Sequence, residues 1–228
     1  MKAYALILGG GGSSRMGGED NKVFLPIRGI PVIVRAVVPF TGICAGAVIV
    51  ARPEETQRME GIVRQFGLSR FVYTVTLGGD TRQASVYNGL QALPDDADIV
   101  LIHDGARALI TEDIITRALK SAQERGSGVA SVAVHDTIKR VSDAGEVLDT
   151  VNRDHLRAMQ TPQAFQVPLI KQAHDTAKRD GFLGTDDAAL LEHAGMKVYL
   201  TEGSSRNIKL TTQFDLKLAM AILEDEDA

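Results

Sequence analysis

Four consecutive glycines, Gly9 to Gly12, run into Ser13-Ser14-Arg15, and Lys22 follows the arginine by seven residues. Glycines let a backbone turn tightly, come close to an anion and point successive N–H groups to one side. Two cations beside such a concavity suit a triphosphate. The plain alternative is a flexible strand-to-helix loop with solvated charges. Spacing removes two familiar nucleotide motifs. A dinucleotide fingerprint places a glycine where Arg15 stands and an acid about 20 residues on, yet Ile27–Thr41 contains no acid. A P-loop needs Gly-Lys-Ser/Thr, whereas Gly12 is followed by Ser13-Ser14-Arg15-Met16-Gly17-Gly18.

Other positions carry chemistry too. Gly78-Gly79-Asp80 is followed by Arg82 and Ser85, and His103-Asp104-Gly105-Ala106-Arg107 closes an apolar run. A carboxylate or main-chain carbonyl accepts from an amino group of a base, and a hydroxyl or N–H donates to its carbonyl. Asp186 and Asp187 read as helix N-terminal carboxylates that favour the dipole. No tight His-x-His or Cys-x-x-Cys pair suggests a transition-metal site.

The elements that must position these residues alternate. Ala3–Leu8, Ala47–Ala51, Phe71–Thr76, Asp98–Ile102 and Val129–Val134 read as strands. Pro31–Phe40, Pro53–Phe66, Thr81–Leu93 and Thr111–Arg125 read as the intervening helices, with Thr111 as an N-cap and Gly126 as a stop. Near-continuous apolar strands separated by helices predict an α/β fold with a mostly parallel sheet covered on both faces. Ligands of such sheets gather at the carboxyl ends of strands. The loops Gly9–Lys22, Gly78–Ser85 and His103–Arg107 therefore share one crevice. The alternation breaks at Thr137–Arg140 and Val147–Val151, short strands around the turn Asp143-Ala144-Gly145-Glu146. They predict an inserted β-hairpin arm at about 135–155 on a single domain spanning 1–228. A loop at Thr161-Pro162-Gln163, helices from Pro168 and around Asp186–His193, strands at Lys197–Thr201 and Asn207–Leu210, and a closing helix from Gln213 complete the reading.

These motifs, taken in order, resemble the nucleotidyltransferase signature of sugar and polyol phosphate cytidylyltransferases, in particular the 2-C-methyl-D-erythritol 4-phosphate cytidylyltransferase family. The matching segments are the glycine loop with Arg15-Met16-Gly17 and Lys22, Gly78-Gly79-Asp80 with Arg82 and Ser85, and His103 to Arg107. They continue with Asp136-Thr137-Ile138-Lys139, Arg153, Thr161-Pro162-Gln163 with Phe165, Thr185-Asp186-Asp187-Ala188 and Asn207-Ile208-Lys209-Leu210-Thr211. The resemblance spans essentially the whole chain. It implies a Rossmann-like nucleotidyltransferase fold and cytidylyl transfer from CTP to a polyol phosphate. Arg15, Lys22 and Lys209 would be catalytic. Gly9, Gly10, Gly11, Gly12, Ser13, Ser14, Gly79, Asp80 and Ser85 would bind CTP. Asp104, Arg107, Thr137, Lys139, Arg153 and Thr161 would bind the acceptor. The arm would reach across a two-fold interface, so the resemblance implies a homodimer in which Thr137 and Arg107 serve the neighbouring site. Mg²⁺ would arrive with the triphosphate, held mainly by its oxygens. The chain departs from the family at Asn21 and Val23, where proline and glutamine are usual, and at Gly105 and Ala108, where alanine and proline are usual.

Composition limits the rest. The 228 residues carry a formal charge of −4, so no broad basic field draws nucleic acid. Trp is absent and aromatics are 5%, which leaves little for stacking on single strands. One cysteine, Cys44, excludes an intrachain disulfide framework and fits a reducing cytoplasm. The run Ala3–Leu8 is too short for a signal-peptide core or a membrane span. Two other functions fit the same residues: cytidylyl transfer to ribitol 5-phosphate, and a catalytically idle nucleotide-binding protein.

Overall fold

The computed structural model describes residues 1–11 and 20–226. Gly12, Ser13, Ser14 and Arg15 lie outside the described residues.

The first buried strand, β1 (Ala3–Leu8), is followed by a short ladder of β2 (Pro26–Ile27) with β3 (Ile30–Pro31). Then come α1 (Val32–Val37), β4 (Gly46–Ala51), α2 (Thr56–Gln65), β5 (Val72–Leu77), α3 (Arg82–Gln91), β6 (Ile99–Asp104) and α4 (Glu112–Arg125). The chain continues through β7 (Ser127–Ala133), the arm strands β8 (Ile138–Val141) and β9 (Val147–Val151), and β10 (Arg157–Gln166). It closes with α5 (Val167–Asp180), α6 (Asp187–His193), β11 (Leu200–Glu202) and α7 (Gln213–Glu226).

The main sheet has seven strands in the order β11-β7-β10-β6-β1-β4-β5. Every pairing is parallel except the two made by β10. Alternate residues of β1 supply opposite faces. Ala5 and Ile7 join α1, α2 and α4 in one apolar cluster. Tyr4 and Leu6 join α3, α5 and α6 in another. Burial of each large aliphatic side chain contributes about 1.5–3 kcal/mol, so two fully covered faces hold the sheet rigid. A third, smaller cluster of Ile27, Val32, Ala108, Leu109, Leu210 and Ala219 seats α7.

The sequence misplaces two elements. The expected loop at Thr161-Pro162-Gln163 is the middle of β10, between β6 and β7. Its run RAMQTPQAFQ lacks an apolar pattern, and proline normally argues against a central strand. The ladder with β7 shifts register between Met159 and Gln163, so Pro162 falls where the regular pairing is interrupted. The expected strand at Asn207–Leu210 is an unpaired connector. The alternation of Ile208 and Leu210 imitates a strand, but both pack on the third cluster beside α7.

The arm is a separate two-stranded antiparallel sheet, Ile138 opposite Val151, as the sequence suggests. Val141, Val147 and Leu148 on it are more than half exposed.

Candidate active site

The chain lays β1, β4 and β5 outward in succession, then returns with β6 on the other side of β1. Strand order reverses there, and a crevice opens beyond the carboxyl ends of the strands. A cavity of about 510 Å³ occupies it, lined by Gly10 and Gly11 after β1, by Arg52 after β4, by Gly79–Arg82 and Ser85 after β5, and by Asp104 and Ala106 after β6. Lys22 and Lys209 complete the lining. Described residues of all three loops expected to share a crevice line it.

The backbone explains the small residues at the rim. Gly9 continues the β1–β4 ladder by donating to the Val50 carbonyl at 2.8 Å. A Cβ on it would stand 2.9 Å from Met59 Cε and 3.2 Å from Val50 O. At Gly105, an alanine position in the family, a Cβ would stand 2.7 Å from Ile33 Cδ1 and 2.9 Å from Leu8 O. On the opposite wall Thr81 caps α3, its hydroxyl accepting from the Ala84 N–H at 3.0 Å. Ser85 Oγ accepts from the Gly79 N–H at 3.0 Å, which folds the Gly78-Gly79 turn over the pocket.

Asp104 is the electrostatic centre. Lys209 Nζ lies 2.9 Å from its carboxylate, and Arg82 Nε and Arg107 Nε each lie 3.8 Å away. Burial pushes the Asp104 carboxyl up, but Lys209, Arg82 and Arg107 outweigh it and hold the pKa down at about 2. Burial also works against the Arg82 charge, and Asp187 and Asp104 more than restore it. Lys22 is buried in the same wall, on the short 3-10 turn Lys22–Phe24. An anion entering this pocket meets Lys209 and Arg82 already held by carboxylates, Lys209 by Asp104 and Arg82 by Asp104 and Asp187.

Behind Asp104 runs a polar chain that fixes the strand end. The Asp104 N–H donates to Thr161 Oγ1 at 3.0 Å, and that hydroxyl lies 2.9 Å from His103 Nδ1. His103 Nε2 reaches the Arg107 carbonyl at 3.2 Å. A donating Nε2 satisfies that carbonyl, and in the neutral imidazole Nδ1 then accepts from the Thr161 hydroxyl. Burial depresses the His103 pKa to about 4. Between the unfolded value of about 6.5 and the folded value the unfolded chain binds more protons, so stability is present above that window and lost as pH falls through it. Melting temperature is expected to drop between pH 6.5 and 4, and His103→Gln to flatten part of that drop. A pH-independent melting temperature across the window would contradict the neutral buried imidazole.

The expected site residues that the structure describes fall into three groups. Gly10, Gly11, Lys22, Gly79, Asp80, Ser85, Asp104 and Lys209 line the cavity. Gly9 supports it from beneath, Arg107 pairs with Asp104 of its own chain, and Thr161 is buried one layer behind. Thr137, Lys139 and Arg153 do not line it. They lie on or beside the arm, where Lys139 donates to Thr150 and Arg153 to the His135 carbonyl.

Two arginines of the pocket have no assigned role in the sequence, although Arg82 stands in a matched motif. Arg82 follows the Gly78-Gly79-Asp80 turn, and that placement could have assigned it to the pocket. Arg52 follows a strand and looks like a solvated charge, with no sequence signal to mark it. Of the acidic pair, Asp186 caps α6 through the Ala189 N–H at 2.9 Å, as expected. Asp187 instead is buried and holds Arg82 at 2.7 Å.

A glycine-edged crevice at the switch point of a mostly parallel sheet, with fixed cations beside a carboxylate, defines a nucleotidyltransferase. The match to known proteins extends over the chain. The model of the family described as 2-C-methyl-D-erythritol 4-phosphate cytidylyltransferase matches residues 3–225, and the chain belongs to that family. The protein of that name from Caldanaerobacter subterraneus is 42% identical, with 98% of this chain and 99% of that one covered. The one from Geobacillus kaustophilus is 44% identical, covering 98% and 97%. The crystal structure of 4-diphosphocytidyl-2C-methyl-D-erythritol synthase from Anaerococcus prevotii superposes with a TM-score of 0.86 at 26% identity, over 98% of each chain. That of the Thermus thermophilus cytidylyltransferase gives 0.79 at 29% identity, over 96% and 98%.

Proposed function

We propose that the pocket carries out the family's reaction, cytidylyl transfer from CTP to 2-C-methyl-D-erythritol 4-phosphate, through Lys22, Lys209 and Arg15. A phosphate oxygen of the acceptor attacks the α-phosphorus in line. The bond from the α-phosphorus to the bridging oxygen breaks, pyrophosphate leaves, and 4-diphosphocytidyl-2-C-methyl-D-erythritol remains. The attacking phosphate is already ionised at neutral pH, so no general base is required. Positioning and charge stabilisation do the catalysis.

The observation that carries this reading is the convergence of Lys22, Lys209, Arg82 and Asp104 between the glycine loop and the Gly79–Ser85 wall. CTP lies with its base against Gly79, Asp80 and Ser85, and its phosphates against Gly9 to Ser14. Arg15 holds the β- and γ-phosphates, and Lys22 and Lys209 meet the α-phosphate. Asp104 takes the polyol hydroxyls, and Arg107 and Thr161 support that end. Mg²⁺ neutralises phosphate charge when bound. Among the described residues no three His, Cys, Asp or Glu side chains converge to cage a cation.

The chain acts as a homodimer in which the arm brings Thr137, Lys139 and Arg153 to the neighbouring acceptor site. The exposed apolar residues of the arm, and the lining of the cavity by residues other than Thr137, Lys139 and Arg153, support this. Val147→Asp should dissociate the dimer in sedimentation velocity and lower turnover; a fully active wild-type monomer would refute the arrangement. Arg153→Ala should raise the KM for the acceptor about tenfold, the size of one charge-assisted hydrogen bond. CTP binding by titration should not change, and a matching loss there would place Arg153 elsewhere. A single buried cysteine, Cys44, supports placement in the reducing cytoplasm. Among the described residues no helix is long and apolar enough to cross a membrane.

A further inference from the structure

Asn21 does more than precede Lys22. Its side-chain amide donates to the Gly9 carbonyl at 2.8 Å and to Glu55 Oε2 at 2.8 Å, and its Oδ1 accepts from the Val23 N–H at 3.3 Å. It is 3% exposed. The last of these bonds caps the 3-10 turn that bears Lys22. Across from it, Arg52 Nε donates to the Gly10 carbonyl at 2.9 Å, and Arg52 Nη1 lies 4.0 Å from Glu55. One turn after β4 therefore grips the chain on both sides of the glycine loop.

We propose that Asn21, with Arg52 and Glu55, forms a clasp that positions Lys22 and the backbone of Gly9 and Gly10 for the transfer. Carbonyl oxygens carry partial negative charge and would repel a triphosphate. The clasp turns the carbonyls of Gly9 and Gly10 onto donors of the protein, away from the incoming anion. The same amide holds the turn of Lys22 at a fixed distance from β1. Asn21 touches no reacting atom and is a positioning residue. This rests on the role given to Lys22 above.

The test compares Asn21→Ala, Glu55→Ala, Glu55→Gln and the Asn21→Ala/Glu55→Ala double variant with Lys22→Ala, in the full chain with CTP and 2-C-methyl-D-erythritol 4-phosphate. A small misplacement of a catalytic group costs up to about 10²-fold. We expect Asn21→Ala to lower kcat about 10- to 100-fold on that scale and to raise the KM for CTP, with the KM for the acceptor unchanged. Glu55→Gln keeps an acceptor for the Asn21 amide, so it should retain more kcat than Glu55→Ala. The double variant should lose less than the product of the single losses, because the two residues act through one contact. Normal kcat in Asn21→Ala beside an inactive Lys22→Ala overturns the clasp alone. A Lys22→Ala enzyme of normal kcat overturns the role of Lys22 itself. If Asn21→Ala loses activity only in proportion to its unfolded fraction, by thermal melting, the residue is merely structural and the proposal fails. If Asn21→Ala does not fold, Glu55→Ala, on a partly exposed turn, carries the same kcat and KM readout.

Discussion

Replacing Lys22 with alanine is expected to lower kcat by about 10² to 10³, the range seen when one preorganised charge or donor is removed from a transition state. The lysine is buried in the wall of the cavity, on a turn fixed by its cap. Its charge is worth about 4 kcal/mol at ~4 Å and an effective dielectric of 20, against about 1 kcal/mol in water. Negative charge on the transferring phosphoryl group and the bridging oxygen develops only as the α-phosphorus is attacked. The lysine therefore acts more strongly on the transition state than on bound CTP. Affinity for CTP, measured by titration without acceptor, should change only a few-fold. A large loss of affinity at constant kcat would make Lys22 a ground-state binding group.

Asp104→Asn is expected to have the next largest effect. The Asp104 side chain is 11% exposed and faces Lys209, Arg82 and Arg107 together. Removing one partner of a buried ion pair commonly costs about 3–5 kcal/mol, because the remaining charge stays buried and uncompensated. Here Lys209 and Arg107 lose their carboxylate partner, and Arg82 keeps only Asp187. Part of the cost falls on folding. With a folded pKa of about 2 against about 3.9 unfolded, the stability from ionised Asp104 is present above pH 4 and lost between about 4 and 2. The variant should therefore melt lower than wild type at neutral pH, and the difference should shrink as pH falls through that window. The rest falls on the reaction, since Lys209 loses the contact that holds it at the pocket. kcat/KM for the acceptor should fall about 10²-fold, in keeping with a few kcal/mol of lost ion pairing. The wild-type pH–rate profile should show no limb from Asp104 above pH 4. A variant with wild-type melting and kcat/KM would remove Asp104 from the centre of the site.

The sequence reveals most where one physical signal dominates. Strands β1, β4 and β6 are continuous apolar runs, because both faces of a parallel sheet are covered. Helix boundaries at Thr81, Gly126 and Asp186 follow from capping chemistry. Strand β10 is illegible because its inward positions include Gln160, Thr161 and Gln163, which bury polar groups in bonds to distant parts of the chain. Gln163, for example, accepts from the Asp187 and Ala188 N–H groups at 3.1 Å. Such partners have no local pattern. The same limit governs the site. The glycine loop, Lys22, Asp104 and Lys209 stand in recognisable contexts, whereas Arg82 is understood only with Asp187, which is 105 residues away. Arg52 becomes meaningful only once β4 is laid beside β1. Thr137, Lys139 and Arg153 carry a motif, but they stand on or beside the arm and do not line the cavity of their own chain.

Turnover with CTP, measured side by side with 2-C-methyl-D-erythritol 4-phosphate and ribitol 5-phosphate as pyrophosphate release, tests the account most directly. Pyrophosphate release and a cytidylylated product are expected with the methylerythritol phosphate, at a kcat/KM well above that for ribitol 5-phosphate. Equal or faster turnover of ribitol 5-phosphate, or no pyrophosphate with either acceptor, would contradict it.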